Sequence, residues 1–147
     1  MRSVVSVTGI DDKQLKGMSH QLTITVHPAR YAVCRFEASA SVPAWAVGAG
    51  FLSVTRTARE LSVVCEELQV PDGAHAERER RLLQIEGTLA FTLVGVLASV
   101  AAPLAAAEIS IFAVSTYDTD YLLISEKDLR RATETLEAAG HTIRQKT

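Results

Sequence analysis

Cysteine is scarce: Cys34 and Cys65 are the only two in 147 residues. At that density a disulfide framework is excluded as the source of stability. Both lie in apolar, strand-like runs, where a buried free thiol is expected. Such usage fits a reducing, cytoplasmic setting. Neither sign of charge dominates: the formal net charge is −2. No broad basic field is therefore available to draw in nucleic acid or an anionic membrane surface. Catalytic signatures are missing too. The chain has no nucleophile elbow, no metal-ligand spacing and no phosphate loop. His20, His27, His75 and His141 are too dispersed for a recognisable metal site. Cys34 or Cys65 beside His27 or His75 is the only nucleophile–base pairing on offer. An enzyme is accordingly not expected, and neither is a cofactor or a metal. No secretory leader is expected either, because the apolar run after Met1-Arg2 is soon broken by Gly9, Asp11 and Asp12.

What is present is a core. Hydrophobic residues make up 48% and charged residues 22%, the balance of a globular chain. The length suits one ordinary domain or two small packed units. Residues 88–107 carry no charge and are long enough to span a bilayer. Alanine dominates there, however, with Gly95, Ser99 and Pro103 inside. A helix followed by a buried strand is the favoured reading of that run.

Periodicity supplies the elements. Leu22, Ile24 and Val26 alternate with Gln21, Thr23 and Thr25, predicting a half-buried strand over 21–27. Further strands are expected at 31–36, 51–55, 61–65, 82–86, 109–115 and 120–124. Pro43 opens a short helical turn over 43–47 that carries Trp45. One helix is expected at about 92–107 and another at about 126–139. Ser125 is the expected N-cap of the latter, with Asp128 completing a capping-box variant. Leu129, Ala132, Leu136 and Ala139 form its inward stripe, and Gly140 stops it. An edge strand follows at 141–144. The order β-α-β-β-α-β is the split βαβ, or ferredoxin-like, unit.

The chain also repeats itself at an offset of sixty. Pro43 then falls on Pro103, Val54 on Val114, Thr55 on Ser115, Glu60 on Asp120 and Glu66 on Glu126. The shared order of strand, turn and strand supports the repeat more than the identities do. The first copy lacks long helices and cannot bury its sheet alone, so the halves should pack into one body. The expected division is an extension over 1–20, a first unit over 21–72, a linker over 73–79 and a second unit over 80–147. Val4, Val5 and Val7 in the extension could add an edge strand. The alternating run Glu77-Arg-Glu-Arg-Arg81 reads as a solvated linker or as a strand entrance.

The richest polar segment is the turn Ser115-Thr-Tyr-Asp-Thr-Asp120, set between two apolar strands. A free amino acid needs N–H donors for its carboxylate and an acid for its ammonium. The loop after Glu86-Gly87 offers backbone N–H groups and the positive end of a helix. Gly87 leaves room for close approach. Asp120 suits the ammonium, and Ser115 and Thr116 suit its orientation. The competing reading is ordinary turn chemistry, since Ser, Thr and Asp commonly bond to nearby backbone. A metal at Asp118 and Asp120 is weaker, as no third ligand is near.

With these residues in view the chain resembles the ACT domain, a ferredoxin-like regulatory module that binds amino acids. More closely it resembles small bacterial tandem-ACT proteins; it is also similar to the C-terminal part of the CASTOR arginine sensors and, more distantly, to the regulatory end of aspartate kinase. The residues carrying the resemblance are 22–34, 50–57, Gly95-Val-Leu-Ala-Ser99, Pro103-Leu-Ala-Ala-Ala107 and 111–123. It implies an α+β fold of two ferredoxin-like (βαββαβ) ACT units in tandem, the first abbreviated. It also implies a pocket lined by Gly87, Thr116, Tyr117 and Asp120, with Val54-Thr55-Arg56 as the opposite wall. Glu60, placed opposite Asp120 by the repeat, would mark a degenerate second site or a salt-bridged turn. The function so implied is a non-enzymatic sensor or regulator that binds a free amino acid. A homodimer or a regulated partner protein is the expected association. The alternative is a ligand-free dimerisation module, using the small-residue face of Gly95, Ser99, Ala102 and Ala106.

Overall fold

The computed structural model describes residues 20–147 apart from residue 91. The expected extension, with its Val4, Val5 and Val7 strand, lies outside the described residues. Two long antiparallel strands form the middle of the sheet: β1 (Thr23–Phe36) and β4 (Ala76–Ile85). β1 unites the two strands expected at 21–27 and 31–36. Its ladder to β4 slips between Val26 and Arg30, where Pro28 offers no N–H. A second slip lies between Tyr31 and Val33. Nearby Glu79 takes a left-handed φ of 54°, as bulges do. The charged run over 77–81 is therefore strand, and residues 76–79 are not linker.

Outside β1 lie β3 (Leu61–Glu66) and then β2 (Ser53–Arg56); outside β4 lie β6 (Asp120–Ser125) and then β5 (Ile111–Ser115). The path β2-β3-β1-β4-β6-β5 is the same from either end when the halves are exchanged. The registers agree as well. Ser53 opposite Val64 and Arg56 opposite Leu61 match Phe112 opposite Leu123 and Ser115 opposite Asp120, an advance of 59 at each position. On the central strands, Tyr31 faces Glu66 as Arg80 faces Ser125, an advance of only 49. No single offset relates the halves, and the expected sixty is one residue too long for the hairpins. The ten-residue difference falls in the crossover. The first half spans it with a 3-10 turn, Ala44–Ala46, and the second with helix α1 (Val96–Ala106).

After their hairpins, both halves form a 3-10 turn at matching places, Glu67–Gln69 and Glu126–Asp128. Only the second half then adds helix α2 (Leu129–Ala138). Ser125 and Asp128 make no side-chain cap bonds, so the expected capping box is not formed. Ala132 and Leu136 are buried as expected, but Ala139 is exposed. The helix ends one residue before it, and Gly140 turns left-handed at φ 99°, so no further turn of chain covers Ala139.

The fold-class expectation needs one correction. In a self-contained split βαβ unit the closing strand belongs to its own sheet. Here β7 (Thr142–Gln145) pairs in parallel with residues 23–26 of β1, so the second unit is completed by a strand of the first. A buried histidine fixes this joint. His141 Nδ1 accepts the Leu22 N–H at 3.2 Å, so Nε2 carries the hydrogen that reaches the Ser99 carbonyl at 2.9 Å. That carbonyl lacks its usual helical donor because residue 103, four along, is a proline.

Three apolar clusters share the sheet. Ile24, Val26, Leu83, Ile85, Leu122 and Ile124 pack beneath Val96, Val100 and Leu104 of α1 and Leu136 of α2. Ala32, Cys34, Leu61, Val63 and Cys65 pack beneath Ala46 and Val70. Tyr31, Val64, Leu82 and Leu123 form a third cluster, against which Phe51 and Tyr121 pack. Residues 88–107 are not a span: among the described residues no helix is long and apolar enough to cross a membrane.

Candidate functional site

The turn between β5 and β6 is built by its own threonines. The Thr116 N–H reaches the Thr119 carbonyl at 2.8 Å, and Thr116 Oγ1 accepts the Thr119 N–H at 3.3 Å. Thr119 is buried, and its hydroxyl donates to the Ile85 carbonyl at 2.7 Å. The Leu89 N–H donates to the Asp118 carbonyl at 2.7 Å. These last two bonds fasten the turn to the end of β4 and to the loop leading into α1. Thr119 was not singled out from sequence. Its signal was a second threonine spaced three from Thr116, the pattern of a hydroxyl-closed turn.

A cavity of about 220 Å³ opens between the turn and that loop, with Ser115 through Asp120 on one side and Leu89, Ala90, Leu93 and Val96 on the other. Val96 is the first residue of α1. The unpaired N–H groups of a helix's first turn and its positive dipole end therefore lie at the cavity wall. Gly95 supplies no side-chain cap. Among the described residues no lysine, arginine or histidine lines the cavity, while Asp118 and Asp120 both do. An acidic side faces a helix start, an arrangement matched to the two charges of a zwitterion.

Asp120 accepts a 2.5 Å hydrogen bond from Ser115 Oγ, which fixes its carboxylate at the turn's base. Thr116 spends its hydroxyl within the turn. Both hydroxyls are thus engaged locally, as the turn-chemistry reading expects. Tyr117 lines the cavity yet is 80% exposed. Next to the turn, burial and then the charges of Asp118 and Glu86 raise the Tyr121 phenol above its ordinary pKa.

A second cavity, about 300 Å³, lies between the two edge strands. Ser53, Val54 and Thr55 of β2 face Phe112 through Ser115 of β5 across it. Ser115 borders both cavities. The structure thus brings Ser115, Thr116, Tyr117 and Asp120 to one cavity, and Val54 and Thr55 to an adjoining one. Gly87 lines neither, although its φ of 90° and its open surroundings suit the sharp exit from β4. Glu60 lies elsewhere, lining a third cavity and 3.6 Å from Arg35. The hairpin register makes Leu61, not Glu60, the equivalent of Asp120. Leu61 is fully buried, so the degenerate second site is not formed. A one-residue slip exchanges the faces of a strand, which is why the sequence offset misplaced an acid there.

Among the described residues no group of three or more His, Cys, Asp and Glu side chains is placed to hold a metal ion. Both cysteines are free and buried, and burial raises both thiols, Cys65 to about 11. That opposes a thiolate nucleophile.

Comparison with known proteins follows the same division. A family model of the ACT domain matches residues 76–138. A second family model, describing an N-terminal domain, matches residues 29–73. The human protein CASTOR3P is 32% identical over 101 residues, covering 60% of this chain and 62% of that one. The chain therefore matches less than two thirds of that relative's length. An Agobacterium tumefaciens protein of known X-ray structure is 35% identical, with 88% of this chain and 96% of that one covered and a TM-score of 0.83. Aspartate kinase of Clostridium acetobutylicum, described as an allosteric enzyme, shares the fold at 12% identity and TM-score 0.61. The match covers 82% of this chain and 35% of that one.

Proposed function

This chain is an ACT-domain protein, and from that premise we propose that it is a non-enzymatic regulator that binds a free amino acid where its two halves meet. The ligand's ammonium pairs with Asp120, and its carboxylate takes the N–H groups at the start of α1. Its side chain extends past Ser115 toward Val54 and Thr55. The observation that carries this reading is the placement of Ser115. It holds the Asp120 carboxylate and borders both the turn cavity and the cleft between the edge strands. The match of residues 76–138 to the ACT domain supports a regulatory role.

The test is a thermal-shift panel of the common amino acids. A ligand at 100 times its dissociation constant adds about 2.7 kcal/mol of stability. Asp120→Asn should retain the fold and weaken the best ligand by about 2–5 kcal/mol, the usual result of removing one partner of a desolvated ion pair. An amino acid that binds Asp120→Asn as well as the parent protein would remove the site from this turn. A flat panel together with a tight dimer would favour the ligand-free association reading. That alternative draws on the small-residue face of Gly95, Ser99, Ala102 and Ala106, of which Ala106 is exposed and the others are half-buried.

A further inference from the structure

Among the places where the pseudo-twofold relation between the halves breaks down, one lies beside a cavity. In the third apolar cluster Phe51 lies across the neighbouring half. Its ring centroid is 4.6 Å from that of Tyr121 and 6.2 Å from that of Tyr31. The strand registers give each of these aromatics an equivalent. Tyr31 matches Arg80, because they face the equivalent residues Glu66 and Ser125. Tyr121 matches Ser62, opposite Val114 and Thr55 respectively. Phe51, two residues before Ser53, matches Ser110, two residues before Phe112. Three aromatic rings on one side thus correspond to two serines and an arginine on the other. Ser62, Ser110 and Arg80 all line a cavity of about 320 Å³.

We propose that this cavity binds a small aromatic carboxylic acid. Its ring occupies the place that Phe51 fills in the other half, and its carboxylate meets Arg80. The walls suit a ring: Val33, Leu123, Ile111 and Phe112 are apolar. The volume lies at the small end of the range for small-molecule sites, roughly 300–1,000 Å³. Arg80 suits the carboxylate. Its side chain is only 16% exposed, and Nη2 reaches Glu77 at 3.2 Å. A guanidinium carries five N–H donors in a fixed fork and can serve a second carboxylate. The two acids at the cavity are already paired with cations, Glu77 with Arg80 and Glu60 with Arg35. None of the residues Ser115 through Asp120 lines this cavity, so the proposal stands apart from the amino-acid reading.

Calorimetric titration of the full chain with 4-hydroxyphenylacetate and with 4-methylphenol, the same ring without the carboxylate, tests it. The acid is expected to bind at least about ten-fold more tightly than the neutral phenol, through its charge-assisted bonds to Arg80. Arg80→Gln should abolish that preference. Ser110→Phe, which supplies the ring found in the other half, should abolish binding of both probes while raising Tm. If Ser110→Phe does not fold, Arg80→Gln decides alone. Absence of acid binding at millimolar concentration, equal affinity for the two probes, or undiminished binding in a folded Ser110→Phe would each overturn the proposal.

Discussion

From β1 to β3 the sheet is backed by loops and two 3-10 turns; from β4 to β6 it is backed by α1 and α2. The two hairpins nevertheless keep identical registers, and their turns close the same way. Thr57 N–H reaches the Glu60 carbonyl at 2.9 Å, as Thr116 N–H reaches that of Thr119 at 2.8 Å. The helices are therefore not needed to set the strand geometry. They differ from the loops in what they bury and in what they raise beside the turn. The longer crossover of the second half carries Leu89 and Leu93 to the wall of the Asp120 cavity. Thr119 bolts that turn to β4, whereas Glu60, its equivalent, reaches only the surface cation Arg35. One turn is anchored in the interior; the other is held at the surface, where Arg35 also donates to the Arg59 carbonyl at 3.3 Å.

Matched substitutions can break this contrast. The largest effect is expected in the cores. Leu122 and Leu61 are both fully buried, and Leu→Ala in such sites costs about 2–5 kcal/mol. Leu122→Ala, beneath two helices that cannot easily collapse, should fall near the upper end. Leu61→Ala, beneath loops that can relax into the void, should fall near the lower end. Urea unfolding measures both, and equal costs would show that the covers are equally rigid. A smaller effect is expected at the turns. Thr119→Val leaves the buried Ile85 carbonyl without its donor and should cost about 1–3 kcal/mol. Glu60→Gln should cost about 0–1 kcal/mol, as exposed ion pairs usually do. Comparable losses would erase the distinction between interior and surface anchoring of the turns.

The last effect, absent below pH 9, concerns pH and only the first half, where both cysteines lie. Burial, with the neighbouring Cys34 as a further cause, raises the Cys65 thiol from 9.0 to about 11. The folded chain therefore holds this proton over a range where the unfolded chain releases it. Stability should be unaffected by this group below pH 9 and should fall as pH rises from 9 toward 11. Cys65→Ala should flatten that part of the curve in thermal melts at stepped pH. An unchanged slope would assign the loss to other groups.

Much of this was legible in sequence because hairpins announce themselves locally. Alternation marked the start of β1, short apolar runs marked β2, β3, β5 and β6, and the threonine- and aspartate-rich segment marked the turn. The repeat was legible in kind but not in register. Matching Pro43 with Pro103 forces an offset of sixty, yet Pro43 precedes a 3-10 turn and Pro103 lies inside α1. Ten residues of helix in one crossover shift everything beyond it, and a period of two converts an error of one residue into the wrong face. The pairing of Glu60 with Asp120 as equivalent positions failed for that reason. The parallel pairing of β7 with β1 was hidden for another. Nothing local in Thr142-Ile-Arg-Gln145 states its partner, and the joint depends on His141 meeting Leu22, 119 residues away.

That joint also governs the order of assembly during synthesis. Residues 23–26 emerge early, and β4 can cover one of their edges as soon as it follows. The other edge must wait for the final strand to leave the ribosome. Contacts so distant along the chain form slowly, and until they form an unpaired strand edge is open to neighbouring chains. A chain truncated just after α2 would display that edge with the other strands of the sheet present.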